Sequence, residues 1–548
     1  MFNRYTGALL SGCLLLTGCV NDPPAFDPLK MQKVQRITEP RPPRPSLKPL
    51  PTTLRTPGTE TPDDPGPQPR ELRMTLQEIV QRAVLNNPET RVAGYAPAIE
   101  AARTIEAEAR FDPVFFANIN FERRERDAAL LTNFDSGEQL EFQTGLRQNL
   151  PSGAQAELRY ETSRFLLPRN TITGTESVAT YESELTLQIQ QPLLRDFGDE
   201  VNRARIAIAR NNQQISILDF RTTLEEQLAN IEQTYWQLVQ AQRNVVILTR
   251  LLEESVRTAE LVGKRREQDA GPVEIGLVNS TVEDRRANLV RAHSRVKDLS
   301  DQLKRQMGDP EIPITSDIVV LPATEPVLQP LHFDLKNQVD TALAWRAELG
   351  QQQLRVGNAD VAIIVAKNNL LPQLNLVGTI GLQDSDDQWT TSNEMGNFSF
   401  STGFQFEVPI GNRAARAIWQ RALLQRQQAI DQYRQTIADV TLQVTLAVRE
   451  VETAWNELIQ RRNATFAAQQ SLEAIQKREN AGEQLRYAFL DLKLNAQGRL
   501  AQAAQQEAEA VAAYNIAISR LEFRKGTLLR YNNVLLQEDA LPISLAGP

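Results

Sequence analysis

The chain has 548 residues, a formal net charge of −8, 41% hydrophobic and 23% charged residues. Its mean hydropathy of −0.39 excludes a bundle of membrane helices, its apolar content excludes wholesale disorder, and its acidic balance gives no electrostatic reason to bind nucleic acid. Two histidines and two cysteines are all it holds, both cysteines within the first nineteen residues, so no Cys/His set exists for a zinc site, a thiol nucleophile or a disulfide framework.

Residues 1–18 read as an export signal. Arg4 precedes an apolar run from Gly7 to Leu16 that is too short to span a bilayer, and small residues lead to a cut site. Leu16-Thr17-Gly18-Cys19 resembles the lipobox of bacterial lipoproteins, which makes Cys19 the expected acylated N-terminus. A second match at Leu10-Ser11-Gly12-Cys13 leaves an apolar core of only about six residues, so Cys19 is favoured over Cys13. Val20 is not the aspartate that retains many enterobacterial lipoproteins at the inner membrane, which favours the outer one. Residues 19–70 form a tether: fourteen of the 30 prolines lie between Pro23 and Pro69, a composition that is extended and cannot pack.

The body is written twice. Leu76 to Val84 followed by Asn87-Pro88-Glu89 is echoed by Leu335 to Leu343 followed by Arg346-Ala347-Glu348. The first repeat is placed at 71–309, a proline-rich connector at 310–331, the second repeat at 332–530 and a C-terminal tail at 531–548. Each repeat continues as helix, to Arg110 or Asn369, and stops at Phe111-Asp112-Pro113 or Leu370-Leu371-Pro372. Strands follow, at about 113–191 and 373–408, closing on Gln191-Pro192-Leu193 and Val408-Pro409-Ile410. Then come helices of about 199–262 and 412–481, free of glycine and proline and reaching roughly 95 and 105 Å. Ala270-Gly271 and Ala481-Gly482 mark equivalent breaks, and a return helix follows each.

In the strand regions the period changes to two. Phe398, Phe400, Thr402, Phe404 and Phe406 alternate with Ser399, Ser401, Gly403, Gln405 and Glu407, and Leu185, Leu187 and Ile189 alternate with Thr186, Gln188 and Gln190. Strands of about ten residues with one apolar and one polar face suit a barrel around water in a membrane, and such a sheet must close because hydrocarbon satisfies no free edge. The first repeat carries an additional candidate hairpin, Leu140–Leu146 and Ala154–Tyr160 around Pro151-Ser152-Gly153. It is either wall, giving six strands per protomer, or an external loop, giving four. Neither number closes a barrel alone, so protomers must assemble.

Two motifs add a resemblance over roughly Leu72 to Leu529. Gly276-Leu277-Val278-Asn279-Ser280-Thr281 resembles the Gly-Leu-Val-x-x-Thr run of TolC-type outer membrane efflux proteins. Tyr487-Ala488-Phe489-Leu490-Asp491-Leu492 with Asn495-Ala496-Gln497 resembles their Phe-Leu-Asp-Leu-Leu-x-Ala-Gln run. The resemblance implies a mainly α fold with a β-barrel part: a homotrimer with an outer-membrane barrel on a long periplasmic helical tunnel. It implies docking by the helix tips, near Gly271, Gly276, Leu277 and Gly482, onto a periplasmic adaptor protein and an inner-membrane transporter. It also implies a periplasmic gate. Asp491 matches one acid of that gate; Val282 stands at the other acidic position with Glu283 and Asp284 following; Arg486 and Tyr487 are candidate latch partners. The run from Asp491 to Ala496-Gln497 is one residue longer than the family's, so Asn495 is a candidate for the place of a second acid.

The expected function is therefore a passive export channel in the outer membrane of a Gram-negative bacterium, with no cofactor, metal or chemistry of its own. The alternative is a lipid-anchored helical scaffold or adhesion protein without a pore. A carboxylate-based hydrolase is a third reading, but no paired Asp/Glu site stands apart from the general helix charge, and His293 and His332 read as surface or packing residues.

Overall fold

The computed structural model describes residues 70–124, 137–171, 174–264, 271–389, 391–481 and 487–534. Cys13, Cys19, Arg486 and Gly482 lie outside them. The first repeat opens with β1 (Glu71–Met74), α1 (Leu76–Asn86), α2 (Pro88–Ala93) and α3 (Tyr95–Glu108). Strands β2 (Val114–Arg124), β3 (Gly137–Asn149), β4 (Gln155–Thr171) and β5 (Gly174–Pro192) follow, then α4 (Asp199–Asn202), α5 (Ala204–Lys264) and α6 (Pro272–Met307). After β6 (Val319–Pro322), the second repeat runs α7 (Leu335–Trp345), α8 (Ala347–Asn368), β7 (Gln373–Asp386), β8 (Asn397–Glu407), α9 (Arg413–Asn480), α10 (Tyr487–Lys525) and α11 (Leu528–Tyr531).

Local chemistry explains the echo between repeats. Thr75 caps α1 in a capping box: its hydroxyl accepts from the Glu78 amide at 3.3 Å, and the Glu78 carboxylate accepts from the Thr75 amide at 2.8 Å. Asp334 caps α7 by accepting from the Asn337 amide. The expected single helix up to Arg110 is interrupted at Asn87, whose side-chain Oδ1 caps α2 by accepting from the backbone amides of Glu89 and Thr90. Its own amide group donates to the Gln306 carbonyl at 2.7 Å, so a side chain satisfied from α6 fixes the break.

The long helices are 61 and 68 residues, roughly 92 and 102 Å. In α5 the buried Leu224, Leu228, Ile231, Tyr235 and Leu238 repeat at steps of four and three, the seam of a coiled coil. Each fully buried aliphatic among them contributes about 1.5–3 kcal/mol. α5 packs antiparallel to α6, and α9 to α10; α3 and α8 flank the sheet-side halves, and α10 also packs on α5. Among the described residues, no helix is long and apolar enough to cross a membrane.

The stretch at 310–331 is more than a connector. Its β6 pairs in parallel with β1, and two fully buried tyrosines hold the chain on either side. The Tyr235 hydroxyl accepts from the amides of Ala323 and Thr324 at 3.1 and 2.8 Å, and the Tyr514 hydroxyl donates to the Gln329 carbonyl at 2.7 Å. The ordered body also continues past residue 530: the Asn532 amide donates to the buried Glu232 at 2.6 Å.

One antiparallel sheet joins the repeats, in the order β2-β3-β4-β5-β7-β8. The hairpin around Pro151-Gly153 is therefore part of the sheet. Both exits from sheet to long helix use the same device. Gly198 and Gly411 adopt φ of +104° and +85°, a region open to glycine at little steric cost. An asparagine follows each: Asn202 donates to the carbonyls of Asp196 and Gly198, and Asn412 to that of Leu370.

Candidate functional site: a two-faced sheet and the helix tips

Register makes the sheet two-faced from edge to edge. Phe115 pairs with Leu146, Leu146 with Leu158, Leu158 with Leu187, Leu187 with Ile380 and Ile380 with Phe400. That is one unbroken apolar row across six strands, and all six side chains are exposed. Three residues further along, the other face shows Asn118, Gln143, Glu161, Glu184, Gln383 and Asn397 in a single paired row. An apolar row left open to solvent is out of place in water and at home in hydrocarbon. The edge strands β2 and β8 each have one partner in the sheet, so lipid immersion demands closure by another chain.

At the other end of the long helices lie the predicted gate and docking residues. Gly271 precedes the first turn of α6; Gly276 is exposed with open space beyond it, and Leu277 packs at the margin of an apolar cluster. That cluster joins Val262 of α5, Val278 and Val282 of α6, and Leu490 and Leu494 of α10. Val282 is thus an interhelical packing residue. Glu283 and Asp284 are exposed on α6, and Glu283 pairs with Arg286 one turn on, at 2.8 Å. Asp491 is half-buried on α10 and accepts from the Asn495 amide at 2.9 Å; Tyr487 is exposed. The tip thus brings α6 and α10 together through Val282, with the acids on the surface around it.

A residue that sequence reasoning passed over fastens this junction. Arg285 is buried, donates to the Ser255 hydroxyl of α5 and to the Gln497 side-chain oxygen at 3.0 Å, and reaches the Leu494 carbonyl of α10 at 2.8 Å. Among the described residues no carboxylate pairs with it, and burial draws its pKa down to about 10, leaving it charged at neutral pH. The signal was present: Val278, Val282 and Arg285 share one helical stripe, so an arginine stands where the pattern calls for an apolar residue. The second turn is fastened differently, by an ion pair between Lys493 of α10 and Glu479 of α9 at 2.8 Å.

Among the described residues no group of His, Cys, Asp and Glu is placed to hold a metal ion. Residues 339–527 match the family model described as outer membrane efflux protein. That match lies within the second repeat, where the chain is similar to this family. A search of curated proteins gave no match. Solved structures with the same fold include the Campylobacter jejuni CmeC outer membrane channel, with 16% identity, TM-score 0.61, and coverage of 83% of this chain and 86% of that one. The Vibrio cholerae outer membrane protein VceC has 15% identity and TM-score 0.60, covering 82% and 96%. The open state of the Neisseria gonorrhoeae MtrE outer membrane channel has 16% identity and TM-score 0.57, covering 83% and 89%. At such identities the likeness establishes the fold of this chain: a long helical body bearing a sheet.

Proposed function

We propose that this protein is the outer-membrane channel of a tripartite export system, a homotrimer that passively conducts substrate from periplasm and pump to the exterior. The observation that carries it is the apolar row from Phe115 to Phe400 on an open-edged sheet fused to helices roughly 100 Å long. Three sheets pair edge to edge into a barrel, and the long helices continue it as a tunnel into the periplasm. Cys19 supplies the lipid anchor to the outer membrane, and the tips near Gly271, Gly276, Leu277 and Gly482 meet a periplasmic adaptor protein and through it an inner-membrane transporter. Glu283, Asp284 and Asp491, repeated three-fold around a narrow end, focus negative potential on the pore, with Arg486 and Tyr487 as latch partners. No chemistry is assigned to the chain itself.

Purification tests the reading. Extraction that requires detergent, an SDS-resistant trimer and conductance in planar bilayers are expected. A Cys19→Ser protein that is soluble without detergent and silent in bilayers would sink it. For the gate, replacing Glu283, Asp284 and Asp491 together by alanine is expected to raise conductance or relieve cation block; unchanged currents remove those three residues from the gate. Crosslinking from the tips to a captured adaptor identifies the partner.

A further inference from the structure

The two repeats enter and leave the sheet alike but do not contribute equally to it. Phe111-Asp112-Pro113 leads into β2 as Leu370-Leu371-Pro372 leads into β7, and Pro192 ends β5 as Pro409 follows β8. β7 pairs directly with β8, whereas β3 and β4 lie between β2 and β5. The surplus is one hairpin, residues 137–171, whose turn faces the helices.

Three observations make that hairpin part of the wall. Its ladders run without interruption, with every residue of β2 paired to β3 and β4 paired along its length to β5. Its faces keep the sheet's division: Leu140, Leu146 and Leu158 are exposed on the apolar face, while Glu141, Gln143, Glu157, Arg159 and Glu161 alternate onto the polar one. It is also fastened to the other repeat, because the Tyr160 hydroxyl donates to Asn393 in the β7–β8 loop at 2.6 Å. A flap outside the membrane has no reason to carry a leucine row level with Phe115 and Ile380.

We infer that the membrane pore of this protein is wider than its duplicated helices require. This rests on the trimer proposed above: three six-stranded sheets close an eighteen-stranded barrel, where one hairpin per repeat would close twelve. Barrel diameter grows about linearly with strand number, so the backbone spans roughly 35 Å instead of roughly 24 Å. After side chains, a water-filled bore on the order of 20–25 Å remains, the regime of open aqueous barrels. The exit therefore admits bulky solutes or polymer segments, and the narrow helix tips are left to select.

The full chain, reconstituted in vesicles of brominated phosphatidylcholine, tests this. Environment-sensitive fluorophores on Leu146→Cys and Leu158→Cys are expected to be quenched several-fold more by the lipid than the same fluorophore on Gln143→Cys or Arg159→Cys, which aqueous iodide should reach instead. Equal iodide quenching at all four positions overturns the inference. In intact cells, Thr379→Cys should react with maleimide polymers up to about 20 Å across added outside, and excision of residues 137–171 should lower that limit by about half. An unchanged limit in an excised protein that still forms trimers overturns it as well; if the excised chain does not fold, the quenching result decides alone. Native mass spectrometry keeps the readings apart, since a chain that is not a trimer fails the proposed function, whereas a trimer with its hairpin outside the lipid fails only this inference.

Discussion

The first and second repeats share their helix scaffold and differ in the strands they give the sheet and in how they turn. Both cap a short helix, leave the sheet through a positive-φ glycine and an asparagine, and run a long helix to a reversal. Yet the first contributes four strands and the second two. The first turn is held by a buried guanidinium on neutral acceptors, the second by an ion pair. The difference shows which parts of a duplicated chain are free to diverge. The helices pack on one another across repeats, so their spacing is fixed from both sides. An antiparallel hairpin returns the chain to the side it left, so the sheet accepts two more strands without moving either helix.

The largest effect is expected on the membrane face. Ile380→Arg or Leu187→Arg, at the centre of the apolar row, should cost about 2–4 kcal/mol per chain and abolish SDS-resistant trimers on gels. Thr379→Arg, one residue away on the polar face, should leave them intact. If both classes behave alike, the two faces do not see two solvents. Next comes the first turn. Gln497→Leu leaves the buried Arg285 short of an acceptor and should cost about 1–3 kcal/mol, read as a lower melting temperature and faster amide exchange at the tips. Adding Arg285→Met to Gln497→Leu removes the charge with its need for an acceptor and should recover most of that loss, a contrast that vanishes if the two side chains are not coupled. At the second turn, Lys493→Met strands a Glu479 whose side chain is still 18% exposed, so water offsets part of the loss and about 1 kcal/mol is expected.

The smallest effect belongs to the middle of the helical body. Burial holds the Glu232 carboxyl above its ordinary pKa, partly offset by hydrogen bonds from Ser519 and Asn532, with Glu522 adding repulsion. A raised carboxyl binds its proton more tightly in the folded chain. Its contribution is therefore fully present below the unfolded value near 4.3 and is lost as pH rises through the folded value. Melting temperature followed from pH 4 to 8 should decline less for Glu232→Gln than for the native chain; parallel curves would mean that Glu232 titrates alike in the folded and unfolded chain.

Much of this was legible in the residues. The alternation of Phe398 to Phe406, the glycine-free runs and the echo of Leu76 in Leu335 are local patterns, and each became the element its period implies. What escaped depended on partners distant in sequence. Tyr235 and Tyr514 look like ordinary seam residues until the connector passes their hydroxyls. Arg285 breaks an apolar stripe visibly, but only α5 and α10 supply the acceptors that explain it.

The sequence by itself determined the period of each segment, the duplication and the two-faced character of every strand, because these follow from the geometry of a single helix or strand. Only the tertiary structure decided that β3 and β4 join the sheet, that the apolar side chains of six strands fall into one row, and that Val282 faces α10 while Glu283 faces solvent. Those outcomes are set by strand register and by which helix lies alongside which. Both are fixed by the summed pairing of residues hundreds of positions apart, not by the preference of any one segment.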